Sequence, residues 1–142
     1  MKKGILTKIV NTKTKNWEVN RLSVVIFRVM LSLIFIMAST KHLFYPEKIV
    51  ARIENAKFGF IGHLLGPPEI AVILSGIIML IAGIFLLLGF KTKIASIILI
   101  FILVPVTLTI QVGQVTTLGP LFKNIAILGA LLFFSINQNF KK

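Results

Sequence analysis

Four long apolar runs, separated by short polar or basic stretches, dominate the hydrophobic pattern of this chain. The runs cover about residues 22–40, 69–90, 94–111 and 121–136. A helix of about 20 apolar residues crosses the roughly 30 Å hydrocarbon core of a bilayer, where every backbone polar group must be satisfied within the segment. The pattern therefore predicts an all-α integral membrane protein, built as a bundle of four transmembrane helices.

The connection between spans one and two, residues 44–68, predicts one further helix. Pro46 and Glu47 are typical of a helix start. The apolar residues that follow fall on one helical face: Ile49, Val50, Ile53 and Ala56. We expect an amphipathic helix at the membrane interface, which would serve either as a lid over the bundle or as a simple connector.

Residues 1–20 form a basic segment ahead of the first span. They contain five lysines, and Trp17 stands just before the apolar run. Basic residues and tryptophan are both typical of the membrane interface. We expect a solvated tail or a short interfacial helix here, and a single four-helix membrane domain over residues 21–140.

Composition excludes a soluble domain. The chain is 56% hydrophobic and 14% charged, against about 45–50% and about 25% in soluble proteins. The formal charge of +12 would suggest nucleic acid in a soluble protein. Beside apolar spans, such basic residues instead indicate contacts with lipid headgroups, so no nucleic-acid partner is expected.

The distribution of Lys and Arg between the connections predicts the orientation. Ten of them lie on one side of the membrane, in residues 1–21, in the turn at residues 91–93 and at residues 141–142. Five lie on the other side: Lys41, Lys48, Arg52, Lys57 and Lys123. The side richer in Lys and Arg is normally cytoplasmic. We therefore expect both termini in the cytoplasm.

Span one carries a polar stripe. Arg28, Ser32, Phe35, Ser39 and His42 share one helical face. An arginine inside a span is costly unless it faces a polar interior or reaches the interface. We expect the stripe to face the bundle interior; alternatively, Arg28 extends to the headgroups and the serines bond to their own backbone.

Span three places glutamines at its non-cytoplasmic end. Gln111 and Gln114 share a face with Ser96 and Thr107. Amides at this depth need polar partners or water. The groups at a matching depth are Lys41, His42, Glu69, Lys123 and Asn124. These residues predict a candidate ligand-binding site at the non-cytoplasmic mouth, with Glu69 acting there or only capping its helix.

Thiol chemistry is excluded because the chain has no cysteine. His42 and His63 are its two histidines, and they fall in separate segments. Two separated histidines are a weak basis for a metal or haem site, so we predict no metal site. No catalytic residue can be assigned from these patterns.

The chain resembles the DoxX family of four-helix membrane proteins over about residues 21–140. Arg28, Ser39 and Lys41 carry the resemblance in span one, and Glu69 opens span two. Further matching positions are Gly76, Gly83, the string 86–92 and the string 121–130 at the start of span four.

The family takes its name from a small subunit of a thiosulfate:quinone oxidoreductase. The resemblance implies a quinone-associated subunit of a redox complex in the bacterial inner membrane, with Arg28, Lys41, Glu69 or Gln111 bonded to a quinone head group. The alternative is a non-enzymatic assembly or scaffolding protein that binds other subunits or a second copy of itself. Since one fold hosts many functions, both readings stay open, as does catalysis by this chain.

Overall fold

The computed structural model describes residues 20–64, 66–113 and 115–137. Within these residues the chain forms α1 (Arg21–Phe44), α2 (Pro46–Glu54), α3 (Phe60–His63), α4 (Pro68–Leu88), α5 (Thr92–Ile110) and α6 (Leu118–Ile136), with a 3-10 turn at Val115–Thr117. Helices α1, α4, α5 and α6 are long and apolar enough to cross a membrane. The predicted all-α membrane fold is confirmed. The expectation for the N-terminal segment concerns residues 1–19, which lie outside the described ranges.

The N-terminal ends of the helices follow local chemistry. The side-chain oxygen of Asn20 accepts a hydrogen bond of 2.9 Å from the Leu22 N–H, so α1 begins at Arg21. Helix α6 begins at Leu118, three residues before the predicted start, because Pro120 in the first turn needs no N–H partner. Helix α5 likewise begins at Thr92 rather than Ile94.

The C-terminal ends of α1, α4 and α5 also differ from the predicted ones. Helix α1 continues past Thr40 to Phe44 and stops just before Pro46, which disfavours a helical residue ahead of it. Helix α4 ends at Leu88 because Gly89 adopts the left-handed conformation, with φ of 74°. Helix α5 ends at Ile110, one residue before the predicted end.

Neighbouring long helices run antiparallel. Along α1 and α4, His42 lies beside Gly76, Ile36 beside Gly83, and Arg28 beside Gly89. Helix α5 packs on α4, and α6 packs on α5. Phe27 of α1 contacts Phe133 and Phe134 of α6, with ring centroids 6.1 and 5.4 Å apart. We call the end that holds α2 and α3 the α2 end, and the end that holds Arg21, Gly89 and Ile136 the turn end.

The main core lies between the four long helices. It includes Phe35, Leu86, Leu99 and Leu131, all almost completely buried. Large apolar side chains on the outward faces of the same helices are exposed, including Met30, Leu74, Phe101 and Leu132. Such a surface is stable against lipid and not against water, so this is a multi-pass membrane protein.

Helix α2 lies across one end of the bundle. Its apolar face places Ile49 and Ile53 in a second buried cluster, together with Val72 of α4 and Ile110 of α5. The predicted amphipathic helix is therefore present. It covers the interior as a lid would.

Candidate functional site beneath helix α2

His42 is the central polar residue of the α2 end. Its ring is buried, and Nδ1 lies 3.1 Å from the Ser75 hydroxyl and 3.3 Å from the Val72 carbonyl oxygen. Ser75 donates its own proton to the Val72 carbonyl at 2.8 Å. The Ser75 oxygen therefore accepts from Nδ1–H, and in the neutral imidazole Nε2 is left as an acceptor. Within the described part of the chain, Nε2 has no hydrogen-bond partner.

A cavity of about 320 Å³ adjoins His42. Its walls come from α1, α2, α3, α4 and α5 and consist mainly of aliphatic side chains. They include Ile49, Ile53, Val72, Val106 and Ile110, with His42, Ser75 and Thr109 as the polar members. The site thus combines a largely apolar enclosure with a few fixed polar groups, as small-molecule sites commonly do.

The cavity opens on the side that faces lipid. Ile70 and Leu74 of α4 and Phe101 of α5 line it. These side chains are 63%, 54% and 75% exposed. Because exposed apolar residues on these helices face the hydrocarbon, a lipid-soluble molecule can enter between α4 and α5 without crossing water.

Pro105 adds a further polar feature to this wall. It lies inside α5 and lines the cavity together with Phe101. Proline has no N–H, so the Phe101 carbonyl lacks its usual helical donor four residues on. Phe101 lines the cavity, and its carbonyl oxygen lacks the N–H donor that a regular helix would supply.

A second polar group joins α5 to α6. The Asn124 amide donates to Thr107 Oγ1 at 2.9 Å, and Thr107 donates to the Leu103 carbonyl at 2.6 Å. Gln111 is also buried, and its Oε1 has no hydrogen-bond partner. Neither Gln111 nor Asn124 lines the cavity.

The charged residues of the predicted mouth are exposed. Lys41, Glu69 and Lys123 all lie on the surface of the bundle. Lys41 and Glu69 form no ion pair with each other. Gln114 lies outside the described residues. The structure therefore brings His42, and not the charged groups, to the cavity.

The remaining residues of the polar stripe are divided between the two ends. Ser32 and Ser39 are fully buried, as the helical face predicts, and donate to the carbonyls of Val29 and Ile36 in their own helix, each at 2.7 Å. Arg28 lies at the turn end beside Gly89. At 1.5 Å per residue, Arg28 and His42 are about 21 Å apart along α1. They cannot hold the same small head group.

Ser75 and the aliphatic walls are site residues that the sequence patterns did not identify. Ser75 and Pro105 lie inside apolar spans, and nothing in their spacing distinguishes them as site residues. In an apolar span, the residue type does not distinguish an aliphatic side chain that lines a cavity from one that faces lipid. Only the packing of α2 onto α4 and α5 distinguishes them.

Comparison with known proteins gives one result. The DoxX family model matches residues 23–112, which cover α1 almost completely and continue through α5. The string at 121–130 lies beyond the matched range, so this part of the resemblance has no support from the match. No curated protein and no solved structure matches the chain.

Proposed function

This chain belongs to the DoxX family, and we propose that it is a quinone-associated subunit of a membrane redox complex. The observation that carries the proposal is the cavity beneath α2, which is open toward lipid and carries the His42–Ser75 pair on its wall. An isoprenoid quinone is a membrane-soluble molecule with a flat head group and two oxygens that form hydrogen bonds. The lipid-facing opening, the apolar interior and the free Nε2 acceptor of His42 support this proposal.

Size favours a head group rather than a whole lipid. Ligand sites usually enclose about 300–1,000 Å³, and this cavity of about 320 Å³ is at the lower limit. A head group would occupy the space between Ile53, Val72 and Val106, and its isoprenoid chain would leave between Leu74 and Phe101 into the hydrocarbon.

The hydrogen-bonding pattern at His42 favours the reduced form of the ligand. Nδ1–H is used by Ser75 and Val72, so the neutral ring offers Nε2 as an acceptor. A quinol hydroxyl donates a hydrogen bond and fits this acceptor, whereas an oxidised quinone carbonyl does not. A quinol carries two electrons and two protons, and His42 Nε2 would orient one of its hydroxyls by accepting a hydrogen bond from it.

The electrons would pass to or from another subunit. The chain has no cysteine and therefore no thiol that could react with a sulfur substrate. We expect substrate chemistry on a partner protein of the complex, with this chain holding the quinone in the membrane.

The test is binding of quinone to the purified full chain in mild detergent. Mass spectrometry of co-purified lipids gives the occupancy. Anaerobic titration with decylubiquinol and a reduced menaquinone analogue, whose hydroxyls can donate to His42 Nε2, gives the Kd. His42→Phe keeps the bulk of the ring and removes the acceptor, and Ala71→Leu fills the cavity from its wall. Since a hydrogen bond in such a site contributes about 1 kcal/mol or more, we expect His42→Phe to weaken binding by about fivefold to tenfold. We expect Ala71→Leu to weaken binding at least as much, because the larger side chain occupies the space of the head group.

Two matched variants control for general damage. His63→Phe changes the exposed histidine, and Ala126→Leu makes the same enlargement on the exposed face of α6. Both should bind as wild type does, within about twofold. The proposal is wrong if wild type neither carries nor binds a quinone, or if the cavity variants bind as tightly as their controls.

The location and orientation are part of the same proposal. We place the protein in the bacterial inner membrane with the turn end in the cytoplasm, because the Lys and Arg excess lies on that side. The chain has no cysteine, so single cysteines can be introduced at Asn55, Thr92 and Thr116. An impermeant maleimide applied to intact spheroplasts should label Asn55→Cys and Thr116→Cys and should not label Thr92→Cys. Labelling of Thr92→Cys alone would reverse the orientation.

The alternative role in assembly would use small-residue helix faces for a partner. On α4, however, Gly76 packs against His42 and Leu43, and Gly83 against Ile36 and Phe35. These two glycines are therefore occupied within the chain. A partner recovered by crosslinking in native membranes, and unaffected by the cavity variants, would favour assembly over quinone binding.

A further inference from the structure

At the turn end, far from the cavity, the guanidinium of Arg28 lies directly on the backbone of Gly89. A Cβ at Gly89 would come within 2.5 Å of Nη1 and 2.7 Å of Cζ. Gly89 is also left-handed, with φ of 74°. Gly89 thus serves two purposes. It ends α4, and its missing side chain leaves the space that the planar guanidinium of Arg28 occupies.

Arg28 does not use its hydrogen-bond donors within the described residues. Its Nε is buried without a partner, and the side chain forms no hydrogen bond or ion pair with any described residue. A guanidinium has five N–H donors and is always charged. A partly buried charge of this kind is costly unless a partner neutralises it.

The chain offers no described carboxylate at this end. Glu47, Glu54 and Glu69 all belong to α2 or to the first turn of α4, at the α2 end. Arg21, Lys91 and Lys93 surround the turn end and add positive charge. Helix α5 begins at Thr92 without a side-chain cap, so its free N–H groups add partial positive charge to this end. A counter-ion for Arg28 would therefore come from outside the described residues.

The depth and shape of this position identify the kind of anion. Gly89 and Lys91 mark the end of α4 and the start of α5, where a spanning helix reaches the headgroup layer. A planar guanidinium matches the oxygens of a phosphate with paired hydrogen bonds. Lysines near this layer attract anionic lipids as well.

We propose that Arg28, held on Gly89 and supported by Lys91 and Lys93, binds a phosphate group at the turn end. In the membrane this group is the phosphodiester of an anionic phospholipid. The site is independent of quinone binding, since it lies at the opposite end of the bundle.

The experiment titrates the purified full chain in nonionic detergent and follows bound ligand by native mass spectrometry. The probes are phosphatidylglycerol, phosphatidylcholine and inorganic phosphate. We expect wild type to bind phosphatidylglycerol about tenfold more tightly than phosphatidylcholine. Arg28→Gln should weaken phosphatidylglycerol binding about tenfold, because it removes the charge-assisted hydrogen bonds to the phosphate. Arg28→Lys, which keeps the charge and loses the planar fork, should weaken it about threefold.

Controls separate a site from general attraction. Lys123→Gln removes one positive charge at the α2 end and should change phosphatidylglycerol binding by less than about twofold. If Lys123→Gln weakens binding as much as Arg28→Gln does, or if neither Arg28 variant weakens it, the proposal is overturned. Inorganic phosphate distinguishes the source: competition at low millimolar concentration indicates a soluble phosphate, and no competition indicates the lipid. If Arg28→Gln fails to fold, Arg28→Lys and Lys93→Gln replace it. Both should weaken phosphatidylglycerol binding, and unchanged binding in both would overturn the proposal.

Glu18 is the one carboxylate side chain outside the described residues. Should it be the counter-ion of Arg28, Glu18→Gln would tighten phosphatidylglycerol binding to wild-type Arg28 severalfold. That result would contradict an open phosphate site. Unchanged binding supports it.

Discussion

The turn end and the α2 end of this bundle are built from the same four helices but are filled differently. Toward the turn end, Leu86, Leu99 and Leu131 are completely buried, and three phenylalanine rings connect α1 to α6. Toward the α2 end, the space between α4 and α5 is left as a cavity with a buried histidine on its wall. Interiors normally pack densely, and the cavity beneath α2 is the exception on which the proposed ligand site rests.

Polar groups are distributed in the same unequal way. Between the helices of the α2 end, hydrogen bonds connect His42 to Ser75 and Asn124 to Thr107. At the turn end, the notable polar group is Arg28, which has no described partner. This contrast underlies the two proposals, a neutral ligand at the α2 end and an anion at the turn end.

The largest expected effect tests the packed end directly. Leu99→Ala opens a void where the side chain is 0% exposed, and we expect a loss of about 2–5 kcal/mol in the free energy of unfolding. Ile102→Ala should cost less than half of that, because Ile102 is only partly buried and one side of it lines the cavity. Unfolding by SDS in mixed micelles measures both. Equal losses would show that the two ends are packed alike.

The next largest effect on stability is expected from alanine substitutions at three glycines of α4 and α6. A Cβ at Gly76 would lie 2.8 Å from His42 Cβ, whereas one at Gly83 would lie 3.2 Å from Ile36 Cγ1, and one at Gly129 would meet nothing within 4 Å. Gly76→Ala should therefore cost about 1–3 kcal/mol and also weaken quinone binding, since it displaces His42.

In the same unfolding assay, Gly83→Ala should cost less than about 1 kcal/mol, and Gly129→Ala should have almost no effect. A different order of the three variants would contradict the close approach of α1 to α4 at the α2 end.

A smaller effect is expected from the bond between α5 and α6. Asn124→Ala and Thr107→Val, alone and together, form a double-mutant cycle for the 2.9 Å hydrogen bond. Interhelical bonds in membranes average about 0.6 kcal/mol and reach about 1.7 kcal/mol. We expect a coupling energy within that range from thermal or SDS unfolding. A coupling near zero would mean that Asn124 finds an equivalent partner elsewhere.

The smallest effect concerns the surface charges of the α2 end. Lys41 and Glu69 are exposed and form no ion pair with each other, so Lys41→Gln and Glu69→Gln should each change stability by less than about 0.5 kcal/mol. Neither should alter the Kd for decylubiquinol. A tenfold loss of binding in either variant would show that these exposed charges take part in ligand binding.

The sequence by itself determined the features that depend on local pattern. Four apolar runs of spanning length required four membrane helices, and the spacing of Ile49 and Ile53 required an amphipathic helix. Helical geometry alone also put Ser39 and His42 on the interior face. The helix ends were less certain, because capping by Asn20, Pro120 and Gly89 shifts them by a few residues.

Only the tertiary structure decided which polar residues meet. Lys41 and Glu69 match His42 in depth, yet they are exposed and His42 is buried, because depth along a helix does not fix its rotation against its neighbours. Ser75 is a small residue until α4 packs on α1, and it then becomes the partner of His42. The cavity and the contact of Arg28 with Gly89 arise between helices, and no pattern along one helix encodes them.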